Sequence, residues 1–252
     1  MLSSAIIGSG NLAHHLVQAM LNANIDLKGI WARDADKAIE MGQLFRVPVF
    51  NGLNQIPQET DLVLLAISDN AVEQVASNIQ THGIVAHCSG ILPIQTLGDK
   101  RHCGVFWPVQ TFSKNQKIDF KKVPVVVQAT DEEDQRILEV FADLIAAQAI
   151  ICKESQRQML HLAAVFVNNF SNHLFALTKD LLQSNELPFE VLKPLIQETA
   201  HKIIEMDPAL AQTGPAKRGD TISLNIHRNL LKDDAQLLKL YNILTESIQN
   251  KP

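Results

Sequence analysis

Three polar side chains in the second half of this 252-residue chain share one stripe of a helical pattern: His161, Asn168 and Asn172. They are seven and eleven residues apart. At about 100° per residue, both asparagines fall within roughly 20° of His161. Their neighbours Leu162, Ala163, Val165 and Phe166 are apolar. The pattern therefore carries polar groups into buried surroundings, where an unpartnered imidazole or amide costs on the order of 1–3 kcal/mol. In a reaction, His161 would give a proton to a carbonyl or imine. Asn168 would orient the substrate, and Asn172 would help bind it. The same stripe would also serve as a satisfied interhelical or dimer contact.

Four other segments carry chemistry. Thr213-Gly214-Pro215-Ala216-Lys217-Arg218-Gly219-Asp220 is a turn that precedes a helix bearing His227. Arg218 could clamp a carboxylate or phosphate with both arms of its guanidinium. Asp220 could pair with Arg218 or cap the following helix. His87-Cys88-Ser89-Gly90 reads as a strand end, where Ser89 would face nicotinamide or substrate. Cys88 reads as a buried bystander, with nothing in the sequence to lower its pKa. In Trp107-Pro108-Val109-Gln110-Thr111-Phe112-Ser113, Thr111 and Ser113 would line a cleft or close turns. The adjacent His14 and His15 face different sides of a helix, so no metal site is expected there. Metalloprotease, nucleophile-elbow and P-loop patterns do not occur.

The fourth segment names a cofactor class. Ala5-Ile6-Ile7-Gly8-Ser9-Gly10-Asn11-Leu12-Ala13 places G-x-G-x-x-A between an apolar strand and a helix. Gly8 permits the turn. Gly10 lets backbone approach a pyrophosphate, and Ala13 lets the helix pack on the strand. Ser9, Asn11 and Leu12 complete the cradle at the positive end of that helix. The second strand ends Ala32-Arg33-Asp34. Arg33 falls where an arginine would meet a 2′-phosphate, so NADP is expected rather than NAD. Asp34 reads as the next helix cap. Ser68 and Asp69 end a further strand beside the same cleft, with Asp69 able to cap the helix Ala71–Ile79.

These groups need elements to hold them. Strands are expected at Ser3–Ile7, Leu27–Ala32, Pro48–Phe50, Asp61–Ile67, Ile84–His87, Gly104–Trp107, Val123–Val127 and Ala149–Cys152. Helices are expected over Asn11–Asn22, from Asp34 and over Glu132–Ala146. After Ser155 the strand signal stops. One long helix is expected over Gln156–Gln183, with others at Leu187–Met206 (Pro194 a possible interruption), Pro208–Gln212, Asn225–Lys232 and Ala235–Gln249. The predicted fold is α/β: a Rossmann-like, doubly wound, mainly parallel sheet over 1–152, then a helical substrate or dimerisation domain over 153–252. Net charge is −5, which argues against a nucleic-acid partner. Three cysteines without metal-ligand spacing fit a reducing cytoplasm. Neither a signal peptide nor a membrane span is expected.

Taken together, these motifs resemble the NADP oxidoreductase family with a Rossmann-like N-terminal domain and a helical C-terminal domain of unknown function. The Thr213–His227 stretch and the His161–Asn169 helix face carry the resemblance most specifically. The layout is more distantly similar to pyrroline-5-carboxylate reductase and to the 3-hydroxyisobutyrate and 6-phosphogluconate dehydrogenases. The resemblance implies hydride transfer between NADP(H) and a small carbonyl, hydroxy-acid or imine compound, and a homodimer. Where the hydroxyacid dehydrogenases carry a helix lysine with asparagine four residues on, this chain has His161 and Val165. Where many relatives have histidine before Pro-x-Gln-Thr-Phe-Ser, it has Trp107. A non-catalytic NADP-binding regulator, or a protein for another nucleotide, are the rival readings.

Overall fold

A computed structural model describes residues 2–250. Seven strands form one sheet in the order β2-β1-β3-β4-β5-β6-β7. They are β1 (Ser3–Ile7), β2 (Asp26–Trp31), β3 (Leu62–Leu65), β4 (Ile84–His87), β5 (Cys103–Pro108), β6 (Pro124–Ala129) and β7 (Gln148–Ile151). β1 and β3 are fully buried runs, as a strand covered on both faces requires. Two apolar clusters are built on alternating residues of the same strands: Ile6, Leu64 and Phe106 in one, Ala5, Val63 and Val105 in the other.

Helices α1 (Asn11–Asn22), α2 (Ala35–Phe45), α3 (Val72–Ser77) and α4 (Glu132–Ile145) accompany the sheet. Asp34 and Asp131 cap α2 and α4 by accepting from Lys37 N and Asp134 N. All adjacent strands are parallel except β5 and β6. Only a 3₁₀ turn, Phe120–Lys122, lies between those two.

The structure departs from the expected elements at several places. Pro48–Phe50 is not a strand but a single bridge, Val49 to Ile30. Pro48 has no N–H to extend it. Asp69 does not cap a helix. Asp69–Ala71 is itself a 3₁₀ turn, and α3 starts after it without a side-chain cap. The long helix is not uniform. α5 (Glu154–Ala164) passes through a π-helical segment, Val165–Phe170, into α6 (Ser171–Gln183). Wider i→i+5 turns change the facing of every later residue, so the stripe computed at α-helical spacing does not hold through Asn168 and Asn172. Nor is its apolar flank buried: Phe166 is 60% and Val167 73% exposed.

The remaining helices are α7 (Lys193–Glu205), α8 (Pro208–Ala211), α9 (Pro215–Arg218), α10 (Thr221–Leu230) and α11 (Ala235–Gln249). Pro194 sits in the first turn of α7 rather than interrupting a helix. α10 begins at Thr221, earlier than expected, because Asp220 caps it by accepting from Ser223 N at 3.0 Å and Ser223 Oγ at 2.7 Å. The chain divides into two compact units, Met1–Leu174 and Phe175–Pro252. No helix among the described residues is long and apolar enough to cross a membrane.

Candidate functional site

The chain passes from β1 to β2 on one side and returns to β3 on the other, so the sheet has its switch point at the carboxyl ends of β1 and β3. A cleft of about 710 Å³ opens there. Gly8, Ser9, Gly10, Asn11 and Leu12 form one wall, Arg33 and Lys37 another, and Ser68 lies after β3. Gly8 has φ +128°, and a Cβ on it would collide with the Ala66 carbonyl oxygen. It must be glycine for the turn to lie against β3. Gly10 has open space where a Cβ would be, so backbone is reachable from the cleft.

The first turn of α1 carries no acidic residue and no side-chain cap. Its N–H groups therefore remain available to a phosphate at the positive helix end. Asn11 uses its side chain elsewhere: Nδ2 donates to Phe112 O at 2.9 Å. His15 Nε2 donates to Ser113 O at 2.9 Å, so α1 and the loop after β5 are tied together. Among the expected cofactor residues, Asp69 does not line the cleft. Lys37, Gln74 and Asn78 do, and the sequence reading missed them. Their signal was spacing. Lys37 is four residues after Arg33, and Gln74 and Asn78 are four apart after Ser68. These donors suit an anionic dinucleotide.

A second group of side chains surrounds the loop after β4. Ser89 Oγ accepts from Ile91 N at 3.2 Å and Leu92 N at 3.1 Å, and keeps its own proton to donate. Ser89 N donates to His87 Nδ1 at 3.2 Å. His87 is fully buried. Burial, with the Arg157 charge nearby, pushes its pKa down to about 4. Burial likewise raises the Cys88 thiol far above its ordinary value, which keeps it inert. Gly90 packs under two rings: a Cβ would lie 2.5 Å from His161 Cδ2 and 2.7 Å from Trp107 Cε2. The Trp107 and His161 ring centroids are 5.6 Å apart. Ser89, Gly90, Trp107 and half-buried His161 therefore form one wall.

Of the other expected substrate-side residues, those in the first unit lie outside the contacts that join Gly90, Trp107 and His161. Asn168, Asn172 and Thr111 are exposed. Thr111 N is held by Gln110 Oε1 at 2.8 Å. Arg218 is exposed at the end of α9. His227 is engaged by Tyr241, with Nδ1 2.9 Å from the hydroxyl. At the opposite strand ends, His102 Nδ1 donates to Asp134 at 3.0 Å while Asp131 caps α4. That cluster is accounted for by these bonds.

Residues 123–248 match the domain family of unknown function DUF2520, and residues 3–87 match the family described as NADP oxidoreductase, coenzyme F420-dependent. No curated protein matches the chain. Among solved structures, a Bacteroides fragilis protein named as a candidate NADP oxidoreductase is 33% identical, with TM-score 0.89 over 99% of this chain and 98% of its own. The 1-pyrroline-5-carboxylate reductase of Streptococcus pyogenes is 13% identical, with TM-score 0.65 over 99% of each chain. An imine reductase from Myxococcus stipitatus in complex with NADP+ is 10% identical, with TM-score 0.66 over 98% of this chain and 91% of its own. The last two share the fold.

Proposed function

Because this chain belongs to the NAD(P)-dependent oxidoreductase family that joins an NADP oxidoreductase domain to a DUF2520 domain, we propose that it transfers a hydride between NADP(H) and a small carbonyl, hydroxy-acid or imine substrate. One observation carries the reading: the open, uncapped start of α1 faces a switch-point cleft that also holds Arg33 and Lys37. Arg33 after the second strand suits a 2′-phosphate, with Lys37 beside it paired to Asp34 at 2.9 Å. The naming of the Bacteroides relative and the NADP+ complex of the imine reductase favour the same cofactor. When bound, NADPH supplies the hydride.

The chain's own residues supply the rest. Ser89 retains a hydroxyl proton to donate toward a substrate oxygen or nitrogen. His161, beside Gly90 and Trp107, gives or takes the proton. Asn168 orients the substrate, and Asn172 and Thr111 bind its polar groups. Arg218, in the second unit, is proposed separately as a holder of an anionic group. In this reading residues 1–152 bind the cofactor and 153–252 bind substrate and pair two copies. The protein works in the cytoplasm without a nucleic-acid partner.

The test is NADPH oxidation against a panel of small ketones, aldehydes and cyclic imines. Arg33→Ala should weaken NADPH roughly tenfold and leave NADH nearly unchanged. His161→Ala should lower kcat by roughly 100-fold or more without altering NADPH affinity. Tight NADPH binding with no turnover on any substrate would point to a regulator instead. Equal NADPH affinity in Arg33→Ala would overturn the assignment to NADP.

A further inference from the structure

Arg157 is the largest fully buried side chain among the described residues. It lies in the first turn of α5, where the helix dipole disfavours a cation. Burying a guanidinium is costly, and an apolar residue of similar size often does as well or better for stability. Its carboxylate neighbour, Glu154, is 3.9 Å away and one-third exposed, so it gives only partial compensation. Stability alone is a poor reason for an arginine here.

The geometry gives a better one. Arg157 Nη1 donates to Ser89 O at 3.1 Å and Nη2 to Leu92 O at 2.7 Å. Its Nε donates to Gln128 Oε1 on β6 at 3.3 Å. Two arms of one rigid plane thus hold two carbonyls three residues apart on the loop after β4, a span that a single ammonium cannot match. The next residue on α5, Gln158, adds a bond to Ile91 O at 3.1 Å. One turn further along the same face is His161, whose ring lies against Gly90 of that same loop.

We propose that Arg157 is a positioning residue: it registers α5 against the β4 loop and thereby fixes His161 over Gly90 and beside Trp107. This rests on the reading of His161 and Ser89 as the reacting wall. Arg157 touches neither the cleft at Gly8 nor its cations. Its effect falls on turnover rather than on cofactor affinity, because a displacement of about 1 Å at a reacting group can cost on the order of 100-fold in rate.

The experiment compares Arg157→Met and Arg157→Lys with the full-length wild type by three readouts. The first is NADPH affinity. The second is the His161 Hδ2 resonance, identified by its loss in His161→Gln and displaced by the ring current of Trp107. The third is kcat and KM on whichever carbonyl or imine the wild type reduces. Arg157→Met should keep NADPH affinity within about twofold, as expected for separate sites. It should move the Hδ2 resonance toward that of free imidazole and lower kcat roughly 10- to 100-fold, with a smaller change in KM. Arg157→Lys should recover part of both.

An undisplaced resonance together with unchanged kcat in folded Arg157→Met overturns the proposal. So does a parallel loss of NADPH affinity, which marks a general structural role. If Arg157→Met does not fold, Arg157→Lys, which keeps the charge and loses the two-armed grip, decides: a shifted Hδ2 resonance with lowered kcat and NADPH affinity kept supports the proposal, and wild-type values of both overturn it. The resonance needs no substrate. Absence of turnover in the wild type therefore sinks the reductase reading and leaves this one to be judged separately.

Discussion

His87 stores a pH dependence in one side chain. Its Nδ1 accepts from Ser89 N–H, which leaves the ring proton on Nε2, and burial with Arg157 nearby holds the pKa at about 4 against an ordinary 6.5. Below pH 6.5 the unfolded chain takes up a proton that the folded chain refuses. Stability from this residue is therefore complete above pH 6.5 and falls as the pH drops toward 4. The total is roughly 3 kcal/mol. In urea unfolding across that window, His87→Asn should keep an acceptor for Ser89 N–H and flatten the slope. An unaltered slope in the variant would refute the assignment. The capping carboxylates Asp34, Asp131 and Asp220 are held below their ordinary pKa chiefly by hydrogen bonds from Lys37, Asp134 and Ser223 respectively. Their contributions are lost only at more acid pH.

Among the elements, the joint between β1 and α1 has the least freedom. Gly8→Ala forces a side chain into the Ala66 carbonyl at φ +128°, which should cost about 2–4 kcal/mol. Gly10→Ala meets no atom and should fold normally while binding NADPH more weakly. Thermal melts beside cofactor titrations separate the two, and equal melting temperatures would contradict the argument. β1, α1 and α4 were legible in the sequence because their apolar periods are clear, with a glycine turn between the first two and Asp131 capping the third. Pro48–Phe50 was not, since a local apolar triplet says nothing about which N–H groups find partners. The π-helical segment hid because its residues suit an α-helix equally well. Gly8, Gly10, Arg33 and Ser68 were legible as strand-end residues. Arg157 was not. It reads as one more polar position on a helix, and only carbonyls more than sixty residues earlier in the chain reveal its use.

At the scale of the molecule, burial is unevenly shared. The strands carry apolar cores on both faces. Beyond Cys152, Leu224 and Leu231 are the buried apolar residues among those described, while Phe166, Val167, Ile204, Leu210, Ile222 and Leu230 are each at least 60% exposed. A helical half with so little interior of its own fits a surface that a second copy covers. Sedimentation should show a dimer, and its melting temperature should rise with protein concentration. Phe166→Glu should shift the protein to monomer and lower that temperature. A wild type that sediments as monomer at all concentrations would exclude this arrangement.

All seven strands end by Ile151, about a hundred residues before the last helix is complete. On a ribosome adding 5–20 residues per second, that interval is roughly 5–20 s. The dinucleotide turn can close while the helices are still being made. Birth of this protein would then have two clocks: a first-order one for the sheet, set within each chain, and a second-order one for the helices, set by how soon two chains meet.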